Sequence, residues 1–497
     1  MSAMAGSPTI AARLDRIPPI RMHRRMAVAV GFANFFDLYD IFLGGVLAAV
    51  LAEEWGLSTN GKALVIASGF AGMFFGAIVL GTIADYLGRR RMFLINLMIY
   101  SSFSLAAAFS PNLAWVAVLR FFAGIGLGSE LSLSDTYLSE LLPRQVRGRY
   151  MAGAYTLGFF GVPLAAFIGA KFVADQQLLI DGWRWLLVVG SLGAVVVWTM
   201  RRNLPESPRW HEIRGRHDEA DRATRELEDQ ARAELGVSEL PEPEPVEVAP
   251  ATGATVSEIF RPPYRQRTVM LYIFQFLQTV GYYGFGTLAP LVLADKGYDI
   301  VESLGFSAVI FLGYPLGSAL SVPLMERFER KHLIVGSAIV MGVLGVVFGF
   351  GRSPAVIIGA GFLPTATSNV FSNGFHIYQA EIFPTRMRST AVSTSYSLSR
   401  LSGAMLPFIS VAALDHLGPT AVFLGSAAVL TVVALDVGLL GPRSTGLNLE
   451  TASDETAGTA LRPVDAGPRF TREEPRTVAR PGRDGARADE PAEPRAR

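Results

Sequence analysis

The chain has 497 residues, half of them hydrophobic and 18% charged, with a net charge of +1. Soluble proteins carry about a quarter charged residues, so this balance points into a membrane and away from a nucleic-acid partner. With no cysteine, disulfides, thiolate catalysis and Cys-ligated metals are excluded.

In chain order, residues 1–26 are polar and basic and carry no cleavable signal pattern. A helix needs about 20 apolar residues to cross the hydrocarbon core. Six such runs follow, at about 27–52, 63–86, 92–110, 113–138, 149–173 and 183–201. Residues 202–267 then form a polar linker, in which HDEADRATRELEDQARAEL (217–235) reads as a charged surface helix and ELPEPEPVEVAPATG as a flexible tether. Six more runs lie at about 269–294, 303–325, 332–351, 354–380, 388–413 and 419–440. Residues 441–497 are rich in Pro, Arg, Glu and Gly, lack apolar periodicity and are expected to be disordered. The expected domains are therefore 1–26, a six-helix half over 27–201, the linker 202–267, a second six-helix half over 268–440, and the tail.

The two halves are copies. Tyr137, Glu140, Pro143 and Arg147 recur 241 residues later as Tyr378, Glu381, Pro384 and Arg388. The same offset carries Asp85, Arg89 and Arg90 onto Glu326, Arg330 and Lys331, and Gly45 and Gly56 onto Gly286 and Gly297. Duplicated hydrophobic halves mark transporters that rock around a site between them. Alternate loops are basic, among them Arg21/Arg24/Arg25, Arg89–Arg91, Arg144/Arg147/Arg149 and Arg327/Arg330/Lys331. The positive-inside rule then places both termini and the linker in the cytoplasm.

Gly81–Arg91 reads G-T-I-A-D-Y-L-G-R-R-R and resembles the loop motif of the major facilitator superfamily. Arg120, Gly124, Gly126 and Gly128 resemble that superfamily's fourth-helix motif. Pro205–Trp210, PESPRW, is similar to the motif of sugar porters and their relatives. Asp37 and Asp40 resemble the D-x-x-D of aromatic-acid and nicotinate proton symporters, and GYYG (281–284) and SRLSGAMLP (399–407) point to the same metabolite branch. The resemblance implies an all-α, twelve-span membrane fold. It also implies proton-coupled transport of a small molecule by alternating access, with no cofactor beyond the coupling proton and no enzymatic activity. In the family, the Asp85 loop closes the two halves on the inside. The seventh span lacks the Q-Q-x-S/T-G-x-N of sugar porters, and the fifth holds only a fragment of the drug-antiporter run.

Ionisable groups inside a span mark pathways by default. Asp37 and Asp40 share a helix face, and at ~1.5 Å rise per residue Asp40 falls at a depth similar to Arg120. These three, with Glu130 and Asp135, are the candidate proton-coupling set. Arg400 lies near the midplane of the eleventh span, where it holds either a substrate carboxylate or a protein acid such as Glu130. Gln275, Gln278, Tyr282, Tyr283, Asn369, Asn373 and His376 are candidate substrate contacts in the seventh and tenth spans; helix–helix hydrogen bonding is the other reading of each. Asp85, Arg89, Arg90, Glu140, Arg147, Glu326, Arg330, Glu381 and Arg388 are candidate gate residues, with Glu140 beside Arg147 and Glu381 beside Arg388. The expected protein is a monomer in a bacterial plasma membrane that imports a small organic anion. Drug or metabolite efflux, sugar or polyol symport, and a non-transporting sensor are the alternatives.

Overall fold

The structure is a computed structural model that describes residues 9–143, 145–174, 179–202, 204–243, 256–383 and 385–444. The tether from 244 to 255, the tail beyond Ser444 and the side chains of Asp85, Glu326 and Arg388 lie outside the described residues. Every regular element among the described residues is helical. A short α1 (Ile10–Asp15) precedes α2 (Arg21–Trp55), α3 (Thr59–Leu87) and α4 (Arg89–Ala107). The fourth membrane rod is α5 (Leu113–Gly128) plus α6 (Glu130–Leu141), and the fifth is α7 (Arg147–Phe159) plus α8 (Gly161–Ala174). The sixth is α9 (Gly182–Arg201), after which α10 (Pro208–Ile213) and α11 (His217–Leu235) lie in the linker.

After α12 (Val256–Ile259), the seventh rod joins α13 (Arg265–Thr279) to α14 (Phe285–Asp295) through a π-helical turn at Val280–Gly284. Next come α15 (Ile300–Phe311) with α16 (Gly313–Arg327), then α17 (Arg330–Phe350), α18 (Pro354–Glu381) and α19 (Thr385–Leu440). Nine stretches among the described residues are long and apolar enough to cross a membrane. The last of these is two spans, because Gly418 breaks α19 with φ 80° and ψ 175°, a conformation open to glycine. With α4 and the α13–α14 rod, twelve spans result.

The repeated glycines have a steric reason. A Cβ on Gly45 would lie 2.1 Å from the Thr287 carbonyl oxygen, and one on Gly286 2.2 Å from the Phe42 ring. These equivalent positions press the first and seventh spans together, since small residues let helices approach closely in lipid. Gly88 is the other forced glycine. It separates α3 from α4 at φ +95°, and a Cβ there would lie 2.5 Å from the Glu206 carboxylate.

Outside the membrane, α1 docks on α11. Ile10, Leu14, Ile17 and Ile20 pack with Ala220, Leu227, Ala231 and Leu240 in one buried cluster. Each buried Leu or Ile contributes about 1.5–3 kcal/mol against water. Arg13 grips Glu228 at 2.9 Å and Asp221 at 2.5 Å, and Arg16 grips Glu228 at 2.7 Å. Burial favours the neutral form of Glu228, but the hydrogen bonds from Arg13 and Arg16 outweigh it and hold the carboxyl below its ordinary range.

Candidate functional site

The first six spans bury a set of charges. Asp40 on α2 faces Arg120 on α5, with Nη1 3.6 Å from Oδ1 and Nη2 donating to the Asp40 carbonyl at 3.3 Å. Gly44 and Gly69 leave room for this guanidinium, since a Cβ on either would lie 3.4 or 3.2 Å from Nη2. Asp37, one turn earlier, is 4% exposed; its Oδ2 has no hydrogen-bond partner among the described residues. It lies within electrostatic reach of Glu130, Arg201 and Asp40.

Glu130 begins α6, where the rod bends at Ser129, and an acid in the first turn suits the positive helix end. One of its oxygens is paired with Arg201, and the other accepts from Asn96 Nδ2 at 3.2 Å. The Arg201 guanidinium also sits over the Phe93 ring at 3.9 Å. The alternative pairing of Glu130 with Arg400 is therefore not the one formed. Both oxygens of Asp135 receive the Tyr155 hydroxyl at 2.9 Å.

The last six spans present a different surface. Arg400 on α19 is 3% exposed. It donates to the Tyr283 hydroxyl at 3.4 Å and the Tyr396 hydroxyl at 3.5 Å, and lies 4.0 Å from the sulfur of Met73 on α3. No carboxylate pairs with it among the described residues. The π turn displays Tyr282 and Tyr283 here, and such turns recur at functional sites. Tyr283 meets Phe70 of α3 edge-on at 5.2 Å and Tyr282 at 4.6 Å.

Below them runs an amide relay. Gln278 donates to Gln275 at 3.4 Å, Gln275 to Gln379 at 2.7 Å, and Gln379 meets His376 at 3.3 Å. His376 stacks on Phe375. Asn369 and Asn373 instead turn their amides to α16, donating to the Tyr314 carbonyl and, at 2.6 Å, to the Ser321 hydroxyl.

At the basic end of the bundle the repeat is visible in space. Arg89 pairs with Glu140 at 3.2 Å, and its equivalent Arg330 pairs with Glu381 at 3.5 Å. Glu140, beside Arg147 in the sequence, is thus paired with Arg89. Arg147 donates to the Leu142 carbonyl at 3.1 Å and pairs with Asp15 at 3.3 Å, because the helix break after Leu141 turns it toward α1. Arg90 donates to the Arg202 carbonyl.

Glu206 of PESPRW accepts from the backbone N–H of Arg89 at 2.9 Å and of Arg90 at 3.2 Å, which makes it the carboxylate at the N-terminus of α4. Ser207 caps α10 through the Trp210 N–H, with Pro208 next. At the opposite end, Asp415 of α19 accepts from Lys62 at 2.7 Å and Thr59 at 2.6 Å, tying the last six spans to the first.

Sequence reasoning missed Arg201, Glu206 and Asp415. Arg201 closes the sixth span, where it reads as one more positive-inside residue, although an arginine followed directly by a second one leaves the first free to turn inward. Glu206 lies in the PESPRW motif but its partner on α4 is not legible there, and Asp415 has no signal outside the tertiary structure.

The family model for "Sugar (and other) transporter" matches residues 26–455. The chain belongs to this transporter family of the major facilitator superfamily. The transporter is 32% identical over 422 residues to the putative metabolite transport protein YyaJ of Bacillus subtilis, covering 83% of this chain and 90% of that one. It is 28% identical over 442 residues to the niacin transporter NiaP of Acinetobacter baylyi, covering 89% and 99%. In fold it resembles the inward-open xylose transporter XylE from E. coli, with a TM-score of 0.65 at 19% identity, covering 86% of this transporter and 98% of XylE. The protein is thus a multi-pass membrane transporter of small molecules and not an enzyme.

Proposed function

We propose that this transporter imports a small organic anion together with protons across a bacterial plasma membrane, with both termini in the cytoplasm. Nicotinate and similar aromatic carboxylates are the candidate substrates. The observation that carries the reading is Arg400, a buried guanidinium with hydroxyl and sulfur neighbours in place of a carboxylate. An unpaired buried charge is costly, and a carboxylate substrate relieves that cost by bidentate pairing. The rings of Tyr282, Tyr283, Tyr396 and Phe70 around it suit a flat substrate. Gln275, Gln278 and His376 line the way below. The similarity to NiaP supports the same substrate class.

Coupling is assigned to the first six spans. Asp37 and Asp40 take the proton, and protonation of Asp40 removes the charge that Arg120 faces across 3.6 Å. Glu130 and Asp135 extend the path toward the basic end. The halves 27–201 and 268–440 rock about this centre, with Lys62–Asp415 closed when the basic end opens and with Arg89, Arg330 and their glutamates acting at the other gate. In proteoliposomes, [14C]nicotinate should accumulate only under an inward proton gradient and be released by a protonophore. Arg400→Lys should weaken uptake although the charge is kept, because an ammonium lacks the planar fork. Uptake indifferent to the protonophore removes the coupling, and preference for a neutral sugar removes the anion.

A further inference from the structure

A cavity of about 620 Å³ opens at the basic end between the start of the first span and the end of the sixth, lined by Arg21, Arg24, Arg25, Val28, Met200 and Leu204, among others. Its arginines lie roughly 20 Å or more from Asp40 along α2, at about 1.5 Å per residue. Residues 21, 24, 25 and 28 recur at helical spacing, so the arginines crown one face of α2 and Val28 continues it downward. The guanidinium groups of Arg24 and Arg25 are exposed and enter no ion pair or hydrogen bond among the described residues. Arg21 is the engaged member: its side chain is 84% exposed and pairs with Glu234 at 3.7 Å, and its backbone N–H donates to both oxygens of that carboxylate at 3.0 Å.

The floor of the cavity is apolar, and α9 carries exposed Leu192, Val195, Val196 and Trp198, a lipid-facing strip for a membrane span. Two cations unpaired among the described residues, Arg24 and Arg25, above an apolar slot, at the level where a span leaves the membrane, match the two ends of one molecule: an anionic headgroup and the start of its acyl chains. We propose that this cavity binds an anionic phospholipid of the phosphatidylglycerol or cardiolipin class, wedged between the first and sixth spans. A free phosphate shares the headgroup chemistry but leaves the apolar floor uncovered.

The test uses the full chain in detergent, with native mass spectrometry reading retained lipid. Dioleoyl-phosphatidylglycerol is titrated against dioleoyl-phosphatidylcholine. Each arginine near such a surface contributes roughly a fivefold gain in affinity for an anionic lipid, so Arg24→Gln/Arg25→Gln should lose roughly 25-fold of the phosphatidylglycerol preference. These side chains are exposed, and Arg24→Lys/Arg25→Lys should keep most of the preference.

Met200→Trp fills the apolar floor without touching charge and should also expel the lipid. Retention of the full preference by the Gln double variant overturns the site. Retention by Met200→Trp reduces it to diffuse surface attraction and overturns the cavity. Displacement of the lipid by millimolar inorganic phosphate shows a free-anion site and overturns the lipid. None of these readouts requires transport.

Discussion

The two sets of six spans share an ancestry in sequence and differ where it matters. At the basic end they are alike: Arg89–Glu140 and Arg330–Glu381 are the same ion pair twice, 241 residues apart. In the membrane centre the repeat has diverged. The positions of Asp37, Arg120, Glu130 and Asp135 are occupied in the second copy by Gln278, Gly361, Phe371 and His376, and the position of Arg400 is Phe159 in the first. One set therefore holds four acids, two of them paired with arginines, and the other holds neutral amides, aromatics and a single guanidinium. Acids that outnumber their arginines suit proton traffic, because the surplus carboxylates can take the proton. A lone cation suits a partner that arrives and leaves.

The largest expected effect tests that contrast directly. Glu130→Gln strands Arg201, whose partner it is, and breaking a buried pair costs about 3–5 kcal/mol. Thermal unfolding of purified protein should show a marked loss, largely restored in Glu130→Gln/Arg201→Met. Arg400→Gln should keep or raise stability while losing nicotinate binding, because it removes a buried charge that has no carboxylate partner. Equal destabilisation by both single changes would show that the two sets bury charge in the same way.

Next in size are Asp37→Asn and Asp40→Asn, which should abolish accumulation of nicotinate against a gradient. Counterflow exchange in at least one should persist, since exchange moves no net proton. Concentration of substrate at the wild-type level by both variants removes the acids from coupling.

A smaller effect sharpens the likeness at the basic end. Arg89→Gln and Arg330→Gln each remove a pair whose side chains are only 10–23% exposed, and a change of about 1 kcal/mol or more alters the populations of open and closed states at least roughly fivefold. Labelling of cysteines placed at that mouth reads it out, and the chain has none of its own. The two variants should shift the population by similar amounts; a response in only one would show that the gates have diverged as the centres have.

The smallest effect lies outside the membrane, in the clasp of α1 on α11. The Glu228 carboxyl is held below its ordinary value of 4.5 in the folded state. Its contribution is therefore present at neutral pH, and it is lost as the pH falls below that range. Hydrogen exchange in α1 should rise on acidification below about pH 4.5 in wild type, and should already be raised at neutral pH in Glu228→Gln. An α1 that exchanges identically in both at pH 7 would leave the docking to apolar contact alone.

By itself the sequence determined the number and place of the spans, the repeat and the family motifs. Each of these is local or periodic: a run of apolar residues must span, and an exact offset survives duplication. It also marked the charged positions in the membrane, because an ionisable group there is expensive wherever it points. What the tertiary structure alone decided is partnership. Spacing brought Asp40 to the depth of Arg120, but nothing in the spacing joined Glu130 to Arg201 or Glu140 to Arg89 in place of Arg147. Those pairs are set by bends at Ser129 and after Leu141 and by the angles at which helices cross. Asn369 and Asn373 read in the sequence as substrate contacts or as helix–helix hydrogen bonds, and the packing of α18 spends their amides on α16. Which charge meets which is a property of helix packing, and packing in lipid follows from shape along the whole length of each span.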